Sequence, residues 1–525
     1  MRRLFVILAT ICVLPLAAQN ADDAQQFQKL AQVFRYLSGL YVDDVDMKPV
    51  VEGAITGMLE ELDPHSAYIG AEEMKGVQES FDGEFSGIGV EFNVLRDSVI
   101  VVNTIAGGPA ERVGVRANDR IVRIDTLEAV GMGRADVPKY LRGKRGTKVE
   151  IDVVRHGTPG RLHFVIVRDK IPLNTVDAAY MAGDGIGYIK VNRFGRTTMS
   201  EFADAYRKLG KPRSLILDLR GNGGGLLEQA VEMAGFFLPR GAAIVSTEGR
   251  AVPAMTFRAQ SDGEDLKGRL AVLIDEASAS ASEIVAGAVQ DWDRGIVVGR
   301  PSFGKGLVQR QIGLPDGSAV RVTVARYHTP SGRVIQRPYE KGHREEYYAA
   351  HRERLTGVQA DSVAAETPQF EALRTHRPVY GGGGIRPDVR VEADTVGQTG
   401  YWLALMRHGV VNELVLRYLD RERPQLTARY PDFERFDAGF AVSPAMMSEL
   451  AEMAAAQGIE PAGDEAAQSD GLLKLQIKAL VAERLFPREG FYRVMNAADG
   501  SMFRRAVELL GAWSEQGKHI LSKRK

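Results

Sequence analysis

The feature of this sequence that most constrains its fold is a stretch from about residue 185 in which strand patterns alternate with helical ones. Ile186–Val191 and residues 214–219 are short apolar runs with the pattern of strands, and residues 199–209 between them have helical spacing. Runs of this length bounded by polar turns are typical of buried strands. The alternation predicts an α/β core.

A glycine-rich loop lies between a predicted strand and a predicted helix of this core. Residues 220–225 (Arg-Gly-Asn-Gly-Gly-Gly) follow the strand that ends at Leu219, and a helical segment follows at 226–237. Backbone N–H groups at such a helix start can receive negative charge. The loop therefore fits either a phosphate site or an oxyanion hole.

Nucleotide binding is disfavoured by a second glycine motif. Residues 299–305 have the spacing of a phosphate-binding loop that ends at Lys305, but Gly306 stands where a serine or threonine would hold magnesium. The following residues, 307–312 and 319–324, have the pattern of a hairpin joined through Pro315, Asp316 and Gly317. A strand here replaces the helix that phosphate binding requires.

A run of serines suggests nucleophilic chemistry instead. Residues 278–283 (Ser-Ala-Ser-Ala-Ser-Glu) follow the apolar run that ends at Ile274 and open a helical segment. A serine hydroxyl needs a base, and a lysine such as Lys305 can serve once burial lowers its pKa. By themselves, such serines are more often a helix cap. The chemistry alone does not choose among Ser278, Ser280 and Ser282.

Other residues of this core also fit the active site of a hydrolase. The glycine loop and the N–H of Ala281 could form an oxyanion hole. Lys305 is expected on a strand facing the serine, with Gln309 on the same side, because a spacing of four preserves side-chain direction in extended chain. Gln309 would then hold the lysine amine, as the third member of a triad orients its base.

An upstream segment resembles a PDZ domain. The glycine loop at residues 85–92 leads into an apolar strand, and the motifs Gly-Pro-Ala-Glu-Arg-Val-Gly-Val and Asn-Asp-Arg-Ile-Val-Arg-Ile-Asp follow. The resemblance implies that Gly87, Ile88, Gly89 and Val90 receive a terminal carboxylate, and that the next strand offers an open edge to an extended peptide.

The N-terminus has the pattern of a secretory signal. Arg2 and Arg3 precede an apolar stretch that ends near Ala17 and Ala18. The apolar stretch is shorter than a typical transmembrane helix requires. The sequence predicts an exported protein, periplasmic or secreted, without stable membrane insertion.

Composition excludes several classes of site. Cys12 is the only cysteine and lies in the predicted signal, so the processed chain can form neither disulfides nor thiolate metal sites. A formal charge of −1 implies no nucleic-acid groove.

After the predicted signal, apolar residues recur at helical spacing and predict a first helix, and a second helix is predicted at residues 49–62. It ends at a turn that contains His65. A histidine in such a turn is more often a capping or packing group than a catalytic one. No residue pattern marks His65 or His328 as the base of a histidine-dependent hydrolase.

Six motifs in order resemble the carboxyl-terminal processing peptidases, the tail-specific serine peptidases of family S41. They are the Leu-Asp-Pro-His-Ser turn, the PDZ-like segment, Asp-Leu-Arg-Gly-Asn-Gly-Gly, the serine run, Val-Gly with Phe-Gly-Lys-Gly, and Tyr-His-Thr-Pro-Ser-Gly. The resemblance implies that Ser280 is the nucleophile, Lys305 the base and Gln309 its support. The implied oxyanion donors are Gly223 or Gly224 and Ala281. No metal or organic cofactor is implied.

Two segments depart from the family pattern. A charged stretch at 336–380 is inserted before the Gly-Ile-Arg-Pro-Asp motif. This insertion is compatible with a lid, with a docking surface or with an addition that has no function. A tail from 394 to 525 carries helical apolar stripes, which fit an internal core or, less often, a homodimer or adaptor interface.

The sequence therefore predicts a multidomain α/β plus β chain. The expected parts are a signal peptide (1–18), an N-terminal helical region (19–80), a PDZ domain (81–170), a peptidase core (171–393) and a C-terminal helical domain (394–525). The expected function is an exported serine endopeptidase that recognises the C-termini of protein or peptide substrates. The alternative is a noncatalytic PDZ scaffold on a peptidase-like core.

Overall fold

The computed structural model describes residues 21–95, 97–105, 107–265, 267–355, 368–498 and 502–522. The predicted signal peptide, with Cys12, and residues 356–367 of the predicted insertion lie outside the described residues. Within these ranges, no helix is both long enough and apolar enough to cross a membrane.

The N-terminal region is helical, as predicted. It contains α1 (Ala21–Leu40), α2 (Met47–Glu60), β1 (Ala67–Ile69) and α3 (Ala71–Asp82). Helix α2 begins before Pro49 because the side chain of Asp46 accepts a hydrogen bond from the Lys48 amide at 3.0 Å, and proline is tolerated in a first turn. Strand β1 pairs antiparallel with Ala319, Val320 and Arg321, so this region is joined to the core.

The next segment is a small β domain. Its elements are β2 (Glu84–Gly87), β3 (Val90–Leu95), β4 (Ser98–Thr104), α4 (Pro109–Arg112), β5 (Arg120–Ile124), β6 (Leu127–Glu128), α5 (Val137–Leu141), β7 (Lys148–Val154), β8 (Arg161–Val167) and β9 (Asp169–Pro172). The main sheet has the order β3-β4-β5-β7-β8, with β6 on β5, and β2 pairs with β9. Strand β3 therefore lies at an edge of its sheet.

The core follows with two sheets and three main helices. Its elements are β10 (Val176–Gly183), β11 (Ile186–Val191), α6 (Thr198–Lys208), β12 (Ser214–Asp218), α7 (Leu227–Gly235), β13 (Ala243–Glu248), β14 (Met255–Arg258), β15 (Arg269–Ile274), α8 (Ala281–Asp291), β16 (Ile296–Gly299), β17 (Leu307–Gly313) and β18 (Ala319–His328). The alternation predicted from residue 185 and the hairpin of β17 and β18 are both present.

The inserted segment adds a helix and a separate two-stranded sheet, and the end of the core adds the last strand of the larger sheet. They contain α9 (Arg344–Leu355), β19 (Gln369–Glu371), β20 (Pro378–Tyr380) and β21 (Val389–Arg390), and β19 pairs with β20. The larger sheet has the order β10-β11-β12-β15-β16-β21 and is parallel except for β10. The smaller sheet has the order β1-β18-β13-β14, with β17 on β18.

The C-terminal region is helical. Its elements are α10 (Gly400–Arg407), α11 (Val410–Arg429), α12 (Phe433–Gly439), α13 (Pro444–Ala455), α14 (Glu465–Leu485), α15 (Glu489–Ala498), α16 (Met502–Gly511) and α17 (Lys518–Ile520), with a π-helical turn at Trp513–Gly517. Leu473, Ile477 and Val481 of the predicted stripe are buried in the core of these helices. For these three positions the internal-core interpretation is confirmed.

Helix α16 covers one face of the larger sheet. In β12, Leu215 and Leu217 belong to the cluster on the α7 and α8 side, whereas Ile216 packs with Met502 and Leu509 of α16. Successive side chains of a strand point to opposite faces, so a strand covered on both faces is apolar throughout. This confirms the multidomain α/β plus β class.

Candidate active site

The serine run forms the turn between β15 and α8. Ser280 is half-buried and has φ 54° and ψ −110°, in a region that costs a non-glycine residue on the order of 1–3 kcal/mol. Its amide donates to Glu283 Oε2 at 2.8 Å. The buried contacts of this turn keep Ser280 in a strained conformation at the start of a buried helix.

The two neighbouring serines have structural partners. Ser278 Oγ donates to the carbonyl of Leu219 at 2.9 Å, and Ser282 Oγ donates to the carbonyl of Asn222 at 2.8 Å. Both side chains are fully buried. The two hydroxyls therefore hold the serine turn against Leu219 and against the glycine loop that follows it. The alternating sequence alone does not distinguish these structural serines from Ser280.

The glycine loop packs directly against the serine turn. The fully buried Asn222 donates from Nδ2 to the Val191 carbonyl at 3.0 Å and accepts the Ala279 amide at its own carbonyl at 3.0 Å. Gly224 has φ 98°, and a Cβ placed there would lie 2.9 Å from Ser280 Cβ. A side chain at Gly224 would therefore displace the serine.

The predicted oxyanion donors are not equivalent. The amide of Gly224 donates to Asn222 Oδ1 at 2.9 Å. The amides of Ala279, Ser280, Ser282 and Glu283 are also engaged. Among the described residues, the amides of Gly223 and Ala281 have no such acceptor. This favours Gly223 over Gly224 as the partner of Ala281.

The carboxylate of Glu283 joins the serine turn to the lysine loop. Its Oε1 accepts Ser302 Oγ at 2.5 Å and the Gly304 amide at 2.7 Å, and its Oε2 accepts the amides of Ser280 at 2.8 Å and Lys305 at 2.9 Å. Burial raises the pKa of Glu283, and the hydrogen bonds that it accepts oppose this rise. Glu283 is not among the site residues predicted from the sequence, although Ser-x-x-Glu at a helix start is a capping-box signal.

Lys305 does not lie on a strand, so that prediction is wrong. It belongs to the lysine loop, residues 302–306, and β17 begins only at Leu307. Gly304 has φ 87°, and the amides of Gly304 and Gly306 donate to the side chains of Glu283 and Gln336. Backbone pairing with β18 begins only at the end of the loop, where the Gly306 carbonyl accepts the Tyr327 amide at 3.0 Å. The bonds to Glu283 and Gln336 keep the loop out of the extended conformation.

The environment of Lys305 favours its neutral form. Burial lowers the pKa of Lys305, and Arg321 lowers it further, while Glu283 and Asp63 oppose the shift. A base that acts near neutral pH requires such a shift.

Gln309 lies on β17, beyond a bulge. The pairing of β17 with β18 shifts between Val308 and Gln309, so the four-residue spacing from Lys305 does not fix a common side-chain direction. Gln309 Nε2 is buried and has no hydrogen-bond partner in the described part of the chain. An unpaired buried amide is costly, and a neighbouring amine or a substrate carbonyl would relieve that cost.

His65 lies beside this site as a packing group. It is buried, and its ring contacts those of Tyr347 (5.4 Å between centroids) and Phe303 (6.1 Å). Burial and the nearby Lys305 lower its pKa to about 3, so the ring is neutral at pH 7. Asp63 fixes the turn by accepting the His65 amide at 2.9 Å.

The predicted carboxylate loop joins β2 to β3 in the small β domain. The carbonyls of Ile88 and Gly89 accept the amides of Ala110 and Ile105 at 2.8 and 2.9 Å. Gly89 has φ 77°. The loop thus opens onto the edge strand β3, which Val90 begins.

Among the described residues, no cluster of three or more histidine, cysteine, aspartate or glutamate side chains could hold a metal ion.

Family models match four parts of the sequence. Peptidase family S41 matches residues 185–342, and a PDZ domain matches residues 86–163. The N-terminal domain of the activating protease CtpB matches residues 13–73, and a family of unknown function matches residues 401–487.

Named relatives agree with these matches. A carboxy-terminal-processing protease of Bartonella bacilliformis is 37% identical over 338 residues, which cover 62% of this chain and 77% of that protein. The carboxy-terminal processing protease CtpA of Bacillus subtilis is 35% identical over 315 residues, 59% of this chain and 67% of that protein. A solved photosystem II D1 C-terminal processing protease is 32% identical, covers 60% of this chain and 85% of its own, and has a TM-score of 0.35. The chain belongs to the carboxy-terminal processing proteases of peptidase family S41 and carries a PDZ domain.

Proposed function

We propose that this peptidase is an exported serine endopeptidase that captures the C-termini of its substrates in the PDZ domain and cleaves them at Ser280. The observation that carries the proposal is the carboxylate of Glu283, which bonds the amides of both Ser280 and Lys305. One buried group thereby fixes nucleophile and base relative to each other. The signal-like pattern of residues 1–18 supports export.

The chemistry follows from these positions. Neutral Lys305 takes the hydroxyl proton of Ser280 as the oxygen attacks the peptide carbonyl, and then gives that proton to the leaving amine. Water hydrolyses the acyl-enzyme by the same route. The amides of Ala281 and Gly223 stabilise the oxyanion, and the side-chain oxygen of Gln309 accepts a hydrogen bond from the Lys305 amine.

Covalent labelling tests the nucleophile. We expect a fluorophosphonate to modify the wild-type protein on Ser280, as located by fragmentation of the peptide that carries residues 270–294. The adduct should disappear in Ser280→Ala and form much more slowly in Lys305→Ala. An adduct on another serine, or an active enzyme that takes no label, would contradict the proposal. A wild-type protein that neither cleaves substrate nor takes the label would instead favour the noncatalytic PDZ scaffold.

Capture by the PDZ domain predicts sensitivity to the substrate's terminal charge. We expect amidation of the C-terminus of an unfolded substrate to raise KM about 10-fold or more and to change kcat less, because charge-assisted hydrogen bonds to the loop that joins β2 to β3 are lost. The free-carboxylate tail peptide should compete with cleavage, and its amide should not. Equal KM for the two substrates would argue against tail sensing.

A further inference from the structure

The inserted segment lies directly on the loop that carries Lys305. Arg354 of α9 donates from Nη2 to the carbonyl of Ser302 at 3.1 Å, and the ring of His351 lies 4.4 Å from that of Phe303. Helix α9 thus touches the first two residues of the lysine loop.

The residues that lead into α9 bond the rest of the loop. The Arg337 amide donates to the Gly304 carbonyl at 2.9 Å, and Gln336 Oε1 accepts the Gly306 amide at 2.9 Å. The guanidinium of Arg337 lies 5.1 Å from the Phe303 ring and 4.0 Å from that of Tyr347.

The lysine loop is therefore held on two sides. Glu283 of α8 bonds Ser302, Gly304 and Lys305, and the inserted segment bonds Ser302, Gly304 and Gly306. A loop with glycines at 304 and 306 is intrinsically flexible, so its position depends on these tertiary contacts.

Helix α9 also packs against the turn that contains Pro64 and His65. Tyr347 is only 5% exposed and packs edge-on against His65, and Tyr348 Oη donates to the Pro64 carbonyl at 3.0 Å. The charged groups that act on Lys305 are Arg321 of β18, Glu283 of α8 and Asp63 of the N-terminal turn. Arg337 and Arg344 act on the neighbouring His65.

We propose that α9 is a positioning element of the active site, which holds the lysine loop through Ser302 and Phe303 and screens Lys305 from water. This inference rests on the proposed role of Lys305 as the base. It gives the insertion a role in catalysis, through Tyr347 and Arg354, without contact between α9 and substrate.

A matched pair of arginines on α9 tests this role. Arg354 reaches the lysine loop, whereas Arg352 is exposed on the same helix. We expect Arg354→Ala to lower kcat at pH 7 about 10-fold and to shift the rising limb of the kcat against pH profile upward by about one pH unit. The sign follows because a more hydrated lysine keeps its proton to higher pH. Arg352→Ala should match the wild type, and Arg354→Lys should restore most of the activity.

A second pair of variants, at Tyr347, keeps the test decisive if one of the arginine variants does not fold. Tyr347→Ala should give the same upward shift, and Tyr347→Phe, which keeps the ring on His65 and Phe303, should not. An unchanged pH midpoint in folded Arg354→Ala and Tyr347→Ala, or a change in KM alone, would overturn the positioning role. Full activity of Lys305→Ala would instead overturn the proposed function, so the two failures are distinguishable.

Discussion

Replacing Ser280 with alanine should lower the rate of peptide-bond hydrolysis by about 10⁴-fold or more, because no acyl-enzyme can form without its hydroxyl. The substitution removes one half-buried oxygen from a turn whose backbone bonds remain. The folded protein and its capture of substrate tails should therefore persist. Turnover of a tailed, unfolded substrate measures the first effect, and binding of a tail peptide measures the second.

The neighbouring serines provide controls for this experiment. Ser278→Ala removes a buried hydrogen bond to Leu219, and Ser282→Ala removes one to Asn222 of the glycine loop; each should cost about 1–3 kcal/mol of unfolding free energy. Each should keep a large share of the activity at a temperature where the variant is folded. Loss of activity in folded Ser282→Ala, with normal activity in Ser280→Ala, would move the nucleophile to Ser282.

Replacing Lys305 should have the second largest effect. We expect Lys305→Ala to lower kcat by about 10³-fold or more, since general-base catalysis of the serine is lost. Lys305→Arg should be equally inactive, because an arginine keeps the charge but does not give up its proton in proteins. The arginine variant separates a requirement for a base from a requirement for positive charge.

The pH dependence of the wild type follows from the same residue. Because burial lowers the pKa of Lys305, the neutral amine is present at lower pH than for a surface lysine. Activity should rise as Lys305 loses its proton and fall as the pH drops below that pKa. The rising limb should disappear in Lys305→Ala and persist in Lys341→Ala, which alters an exposed lysine. A tenth or more of wild-type activity in Lys305→Arg would contradict the role of Lys305 as base.

Local patterns predicted much of the fold. Apolar runs and helical spacing predicted β11, α6 and the hairpin of β17 and β18, since these signals arise within each element. The predicted strand at Lys305 was wrong, and a bulge before Gln309 removes the regular alternation on which its predicted direction rested. Side-chain alternation holds only for a regular strand, and here a loop and a bulge interrupt it.

The sequence by itself determined the order of the elements, the family resemblance and the residue types available at the site. Only the tertiary structure decided how those residues are held. Glu283 lies 22 residues before Lys305 in the sequence, yet its carboxylate accepts a hydrogen bond from the Lys305 amide directly. Arg354 is about fifty residues beyond Ser302 and bonds its carbonyl. Such contacts depend on the packing of whole elements, and no local periodicity encodes the distance between two side chains that are far apart in sequence.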